Sequence, residues 1–492
     1  MKKQRQLAAN MVSYACSQIV NLLVGLVLPR LYLAVYGSEI NGIISTTNSF
    51  ISYFSYLEAG IGLTLIYSLF KPLTEGNAKK ISEILSYSKE QYRRISAIYF
   101  FLVIILSFAF PLFKKTDAME HGEFAALVFV IGLYGAVDFF TMAKYRVLLT
   151  ADRKEYVISN ASIAAQLLRF ILVWTLLQMN ISVVLVKVAP IFTILVRSLI
   201  LKWYIKKNYP DVDYTVAPTQ DLAITDKRWD ALLLQISINT STALPTIIVA
   251  QILGFKEANV YAVYSMVASA LTCMVSSLSS GVAPQMGQLL SQGENIDKSY
   301  QFYDFIVSLI ITIAYSTMSA MAIPFVQLYT NVVSDVNYIH PLYAILISVW
   351  SALYSYRIPL TAVINAAGIY RENRANNFIN LAIQIFLGTA GVILAGVPGV
   401  LIAMIIAAIQ RNVSYTVVNS KILLHNGVAK SIIHQSILII MISFSGWLAR
   451  VVFGEFVFSV CSWILIAAVV LVLETIICTA VFLIIDLKVI SR

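Results

Sequence analysis

Fourteen apolar runs, each near or beyond the roughly 20 residues that a helix needs to cross a bilayer, dominate this 492-residue chain. They span residues 8–29, 42–69, 95–113, 124–147, 158–178, 182–205, 229–254, 257–284, 302–328, 340–365, 376–396, 398–420, 431–453 and 456–486. In hydrocarbon the backbone must satisfy its own N–H and C=O groups, which leaves only helices and closed barrels. Runs this long and continuous predict helices. The expected fold class is all-α integral membrane, with 14 transmembrane helices. Composition excludes the soluble alternative: 59% of residues are hydrophobic, 12% are charged and the mean hydropathy is +0.80, against about 25% charged residues in soluble domains. The first run follows MKKQRQ and imitates a secretory signal. Polar residues interrupt it, and it ends at Pro29-Arg30 without a small-x-small cleavage site, so it reads as a retained first span.

An even number of crossings returns both termini to one side, and the asymmetry of Lys and Arg says which side is cytoplasmic. The segments on the N-terminal side carry 25 of these residues, concentrated between spans two and three (Lys71, Lys79, Lys80, Lys89, Arg93, Arg94) and between spans six and seven (Lys202, Lys206, Lys207, Lys227, Arg228). The other side carries 5: Arg30, Lys114, Lys115, Lys256 and Arg450. Both termini are therefore expected in the cytoplasm. The chain's net charge of +10 follows largely from this topology and calls for no nucleic-acid partner.

The two longest cytoplasmic segments differ in character. Residues 70–94 place Ile81, Ile84, Leu85, Tyr92 and Ile95 at helical spacing among charged residues, which predicts a surface helix leading into span three. Residues 206–228, with two prolines and mixed charge, read as a linker between two six-span halves. The expected organisation is an N-lobe at 1–205, a linker at 206–228, a C-lobe at 229–420 and two added helices at 421–492. Halves with an even number of spans would be parallel, pseudo-symmetric repeats. A constant offset of 218 residues aligns Asn21 with Asn239, Glu39 with Glu257 and Asn41 with Asn259.

Polar residues inside spans locate a cavity, because a lipid-facing surface does not tolerate them. Asn10, Ser13, Ser17 and Asn21 form a stripe on span one, and Ser45, Asn48 or Ser49, Ser52, Ser55 and Glu58 form one on span two. Gln235, Asn239, Thr242 and Thr246 do so on span seven, where Pro245 is expected to bend the helix, and Ser265, Ser269, Thr272, Ser276 and Ser279 do so on span eight. Small polar residues also let helices pack closely. These stripes, however, fall on the first two spans of each half, while spans three, nine and most of fourteen look featureless, which favours a shared polar cavity. Glu58, Asp138, Arg169 and Arg357 lie deep in spans; for Glu58, Asp138 and Arg357 a role in the cavity is expected. Lys187, Arg197 and Arg411 lie nearer span ends, where snorkelling to the interface is expected of the first two and is open to the third.

Other chemistry is not visible. His121, His340, His425 and His434 are scattered, the four cysteines lack metal-site spacing, and no phosphate-cradling glycine loop occurs. No catalytic group, metal site or cofactor is expected. Gly396-Val-Pro-Gly399 reads as a tight turn between spans eleven and twelve.

Several stretches resemble a known family. Asn21 through Pro29, then Tyr36 and Gly37 into NGIISTTNSF and the YLEAGIG of Tyr56–Gly62, look like the opening two spans of the Wzx-type polysaccharide transporters, a branch of the multidrug/oligosaccharidyl-lipid/polysaccharide (MOP) exporter superfamily. KYRVLLTADRKEYVIS at the end of span four resembles the family's helix end and restart, and INAAGIY after span ten repeats it loosely. The resemblance implies a MOP/MATE-like fold of two six-helix lobes plus two C-terminal helices, in the bacterial cytoplasmic membrane. It implies a flippase that moves undecaprenyl-diphosphate-linked oligosaccharide to the outer leaflet by alternating access, for capsule, O-antigen or teichoic-type surface polysaccharide. On that reading Arg30, Arg146 and Arg357 are the expected anion-binding residues, and Asn48 and Asn239 line the cavity. Glu58 and Asp138 serve in ion pairs or in coupling to H+ or Na+. The partners are the lipid-linked glycan, membrane lipid, and a polymerase or glycosyltransferase of the same pathway. Two alternatives stand beside it: a MATE-like multidrug exporter, which usually has twelve spans, and a membrane polymerase or ligase, which tends to carry a large outer loop that this chain lacks.

Overall fold

The computed structural model describes residues 2–58, 61–214, 216, 227–279, 282–292, 296–367, 369, 371–422, 428–453 and 459–490. Among these residues the regular structure is helical throughout, and ten helices are long and apolar enough to cross a membrane. The centre of the expected linker lies outside the described residues. The chain divides into two compact units, Met1–Leu232 and Leu233–Arg492.

The first unit contains α1 (Lys2–Phe54), α2 (Ile61–Glu75), α3 (Ala78–Phe113), α4 (His121–Thr141), α5 (Ala143–Ala151), α6 (Glu155–Gln178), the single turn α7 (Val183–Val186) and α8 (Ala189–Asn208). Span one and the first part of span two lie within α1, which turns at Gly37 (φ 77°, ψ 179°), a conformation that costs glycine little and other residues much. The second of these spans is interrupted again: a 3-10 turn at Ser55–Glu58 separates α1 from α2. Helix α3 merges the expected surface helix with span three. Its 36 residues reach about 54 Å at 1.5 Å per residue, well beyond a ~30 Å hydrocarbon core. Asn77 caps its start, accepting from the Lys80 N–H at 3.1 Å. Apolar side chains of α2 to α5, including Leu65, Leu85, Tyr99, Val103, Phe139 and Leu148, form the main core of this unit. Val24, Leu28, Val173 and Leu177 form a second core where α1 meets α6.

Span four departs from expectation by breaking at Met142, between α4 and α5. The break frees backbone carbonyls, and the Ser198 hydroxyl of α8 donates to that of Thr141 at 3.4 Å. Arg146 reaches back across the break to Asp138, Nη2 to Oδ2 3.0 Å. The turn from α5 to α6, with Arg153 at φ 56°, is held from outside by α1. Asn10 donates to the Arg153 carbonyl at 2.7 Å and accepts from the Tyr156 N–H at 2.9 Å. This corrects one sequence expectation, because Asn10 clasps a turn rather than lining a cavity.

The second unit contains α9 (Lys227–Ile252), α10 (Phe255–Ser279), α11 (Val282–Ser291), α12 (Asp297–Thr330), α13 (Pro341–Ala367), α14 (Arg374–Ile422), α15 (Val428–Phe453) and α16 (Val460–Ile490). Helix α12 is its centre, packed by α10, α13, α15 and α16. Far from featureless, as span nine looked, it buries Asp304, Ser308, Thr312, Tyr315, Ser316 and Ser319. The α14 segment holds spans eleven and twelve, folded back at Gly396 (φ 65°), which places the expected tight turn where the sequence put it. The two arms touch backbone to backbone: a Cβ on Gly391 would stand 2.4 Å from the Gly399 carbonyl oxygen. Helix α16, the least buried of the candidate spans, leaves Leu465, Val472 and Ile476 uncovered.

Candidate functional site

The polar interior of the first unit is built where α1, α4, α6 and the α7–α8 turn converge. One cavity of about 180 Å³ is lined from α1 by Asn21, Tyr32, Asn41, Ser45 and Asn48 and from α6 by Gln166 and Arg169, with Lys187 beside them. A neighbouring cavity of about 130 Å³ shares Asn48, Arg169 and Lys187 and adds Tyr134 of α4. The residues common to both are thus one amide and two cations. The Gln166 amide donates to Asn21 Oδ1 at 2.9 Å, tying α6 to α1 and leaving its own Oε1 without a partner among the described residues.

Lys187 does not snorkel as expected. The residue is only 8% exposed, and its ammonium lies 3.7 Å from the centroid of the Tyr32 ring. The single turn α7, capped by Ser182, ends immediately before it and turns the side chain inward instead of toward an interface. Arg169 buries a guanidinium Nε with no hydrogen-bond partner among the described residues, as does Arg197 of α8. None of these three cations has a carboxylate at ion-pair distance among the described residues; the pairs found in this unit are Lys71–Glu75, Glu90–Arg94, Asp138–Arg146 and Asp152–Lys154. A buried cation without a partner costs several kcal/mol. Two of them, Arg169 and Lys187, share one polar hollow and make it a preorganised site for an anion, for which guanidinium and ammonium donors are well suited.

The expected site residues divide as follows. Asn48 lines both cavities. Asp138 and Arg146 pair with each other, and Glu58 accepts from the Tyr92 hydroxyl at 2.6 Å at the interruption of span two, within coulombic reach of Arg146. Arg30 is half-buried on α1 and does not line either cavity. In the second unit, Asn239 donates to the Gln235 carbonyl of its own helix at 2.8 Å, and Arg357 stacks over the Tyr354 ring at 4.3 Å with its Nε unpartnered among the described residues.

Sequence reasoning passed over a buried amide seam in the second unit. Asn377, Asn380 and Gln384 follow one another along one face of α14. Asn380 donates to the Ala407 carbonyl at 2.6 Å, Gln384 to the Ser237 carbonyl at 3.3 Å, and Tyr415 to Asn377 at 2.7 Å. Their spacing of three and four residues was visible in RANNFINLAIQ. Arg411 is 1% exposed, donates to the Ser241 hydroxyl at 3.2 Å and leaves two further nitrogens unpartnered among the described residues, so it too is buried and does not snorkel. Larger hollows of this unit, about 400 Å³ between α10, α11 and α12 and about 520 Å³ between α12, α13 and α15, are lined mainly by apolar side chains.

The linker begins in contact with the N-terminal extension of α3 beyond span three, the part expected from the sequence as a surface helix. The Asp213 N–H donates to the Ser82 hydroxyl at 3.0 Å, and Tyr209 donates to Asp152 at 2.5 Å. Burial, with the hydrogen bond to the Asp152 carboxylate added to it, pushes the Tyr209 phenol well above its ordinary range.

No model of a known family matches the sequence, and no curated protein matches it. Solved structures do resemble the fold. The lipid II flippase MurJ in an inward closed conformation superimposes with a TM-score of 0.66 at 13% identity, covering 96% of this chain and 98% of that one. An inward-facing multidrug resistance MATE family transporter of the MOP superfamily gives 0.65 at 15% identity over 86% of this chain and 95% of that one. A eukaryotic MATE transporter gives 0.57 at 15% identity over 89% and 99%. The chain is thus a multi-pass membrane protein whose structural neighbours are transporters, and its fold is the one shared by MurJ and the MATE transporters of the MOP superfamily.

Proposed function

We propose that this protein is a flippase for polyprenyl-diphosphate-linked oligosaccharide, with fourteen crossings, both termini in the cytoplasm and a place in the bacterial cytoplasmic membrane. The observation that carries this reading is the cationic hollow of the first unit. Arg169 and Lys187 enter it without carboxylate partners among the described residues, and Asn21, Asn41, Asn48 and Gln166 surround them. A diphosphate supplies the negative charge these side chains lack, and sugar hydroxyls match the amides. The polyprenyl chain stays in lipid. An exporter of cationic drugs would need the opposite polarity in its cavity, so the charge of this hollow speaks against that alternative. MurJ, a lipid II flippase, supports a lipid-linked substrate through its likeness of fold. Surface-polysaccharide assembly, as the Wzx-like stretches imply, is the pathway we assign.

The test is reconstitution. Protein in vesicles containing polyprenyl-diphosphate oligosaccharide should bring the glycan within reach of a membrane-impermeant oxidant faster than empty vesicles do. Loss of one charge-assisted contact, about 1.5–3 kcal/mol, predicts that Arg169→Gln and Lys187→Gln each slow this by roughly 10- to 100-fold. Wild-type protein that leaves the glycan as inaccessible as empty vesicles do would refute the proposal.

A further inference from the structure

The hollow of about 520 Å³ in the second unit carries polar groups that the cationic hollow of the first does not explain. It lies between α12, α13 and α15, which close on one another at its inner end. There a Cβ on Gly446 of α15 would stand 2.3 Å from Ser319 Oγ of α12 and 2.7 Å from Ile345 Cγ1 of α13. Helices α12 and α15 run in the same direction, since Asp304 meets His434 at one level and Ser319 meets Gly446 further along both. Beyond Gly446 they enclose the hollow, with Ile323 and Pro324 on one wall and Ala344 and Ala449 on the others. One side opens to the bilayer, because Val451 and Val452 line the hollow and are themselves 66% and 51% exposed.

Ser319, Gln327 and Arg450 are the polar side chains in this apolar lining. Ser319 is 3% exposed, and its hydroxyl has no partner among the described residues. On the same helix Thr312, Thr317 and Thr330 each donate to the carbonyl four residues before, the usual outlet for a hydroxyl in a helix, and Ser319 does not. Gln327 is half-buried and makes no side-chain hydrogen bond, and Arg450 makes no ion pair, among the described residues. A buried donor without an acceptor is costly, and a ligand that accepts from it removes that cost. The three groups stand at successive heights. Above the contact of Ser319 with Gly446, Arg450 lies one turn on along α15, about 6 Å, and Gln327 two turns on along α12, about 12 Å, at 1.5 Å per residue. A hydroxyl, a cation and an amide in that order match an ester carbonyl, a phosphate and a hydroxylated headgroup. A wholly apolar occupant would leave all three unpaired. A choline headgroup would set a second cation beside Arg450, and free phosphate would leave the apolar walls uncovered.

We infer that this hollow binds one anionic glycerophospholipid of the surrounding bilayer, with the phosphate on Arg450, an ester carbonyl on Ser319 and the headgroup hydroxyls on Gln327. The first carbons of the acyl chains lie against the apolar walls, and the chains leave past Val451 and Val452 into the bilayer. The site is separate from the cationic hollow and independent of the substrate proposed for it, since it requires only that the chain spans a membrane. It also gives a role to α15, one of the two helices beyond the twelve of the paired halves, which the lipid would join to α12 and α13.

The test uses the full chain in detergent, with short-chain phosphatidylglycerol as the probe and phosphatidylcholine of the same chains for comparison. Native mass spectrometry should show one retained phosphatidylglycerol, bound at least about 10-fold more tightly than phosphatidylcholine. Arg450 is exposed, so Arg450→Gln should melt like wild type without lipid, yet lose most of that preference. Lys115→Gln, which removes an exposed cation from the first unit, should keep it. Ser319→Ala should weaken the diester lipid by roughly 3- to 10-fold, the worth of one hydrogen bond, and leave binding of the diether analogue unchanged. Glycerol 3-phosphate, which has the charge but no chains, should not displace the lipid. Equal affinity of wild type for the two lipids overturns the inference, as does a preference that Arg450→Gln retains or that Lys115→Gln loses as fully. Undiminished binding of the diester by Ser319→Ala, or displacement by glycerol 3-phosphate alone, also overturns it.

Discussion

Lys187 and Arg169 carry opposite consequences for stability and for function. Lys187 is buried and Arg169 half-buried with its Nε enclosed, and neither has a carboxylate partner among the described residues. Replacing such a group by an uncharged side chain of similar volume removes a desolvation penalty, so Lys187→Met should raise stability by on the order of 1–3 kcal/mol while translocation falls. Thermal unfolding and the vesicle assay together check this. A variant that is less stable and equally active would contradict it. Asp138 behaves differently, because it neutralises Arg146. Asp138→Asn should destabilise by on the order of 1–3 kcal/mol, between the exposed and fully buried limits. The double variant Asp138→Asn/Arg146→Gln should recover part of that loss in a thermal melt. The polarity of these residues was plain in the sequence, but their partners were not. Lys187 stands a few residues inside a span, where snorkelling is the ordinary outcome. Its burial depends on the single turn at Val183–Val186 that precedes it and on the Tyr32 ring it meets, a residue distant in sequence.

At the scale of elements, the most exacting contact is the hairpin of α14. Gly391 and Gly399 approach so closely that a Cβ on either would meet the other's backbone within 2.4 Å. Gly399→Ala should therefore destabilise by about 1–3 kcal/mol, since a backbone arm must move to admit one methyl group. A circular-dichroism melt that matches wild type would show that the arms do not pack as described. The turn itself was legible, because Gly396-Val-Pro-Gly399 interrupts an apolar run with residues that end helices. Spans two and four were legible as apolar stretches but not as interrupted helices. Neither the 3-10 turn at Ser55–Glu58 nor the break at Met142 coincides with a proline or with a glycine inside it, and tertiary bonds such as Ser198 to Thr141 satisfy the freed groups. Asp304 was passed over for a related reason. The expected span nine begins at residue 302, which places Asp304 at a membrane edge; α12 begins at Asp297 and extends the helix below it.

For the molecule as a whole, the asymmetric charge makes a direct prediction of orientation. In a background lacking the four native cysteines, Lys79→Cys should react with an impermeant thiol reagent only from the cytoplasmic face, and Lys115→Cys only from the outer face. Reversed labelling would invert the topology and with it the direction of transport. The broad architecture was within reach of the sequence because bilayer thickness sets the length of a span and backbone hydrogen bonding forces it to be helical. The site was only partly within reach, since stripes of Ser, Thr and Asn mark both cavities and close packing, and only the fold separates Asn48, at a cavity, from Asn10, at a turn. The central claim is that the cationic hollow selects a diphosphate. Its most direct test is the affinity of the purified protein for a polyprenyl-diphosphate oligosaccharide against a neutral glycolipid bearing the same glycan. The account predicts a preference of at least about 10-fold for the diphosphate, lost in Arg169→Gln/Lys187→Gln. Equal affinity for the two lipids in the wild-type protein would contradict it.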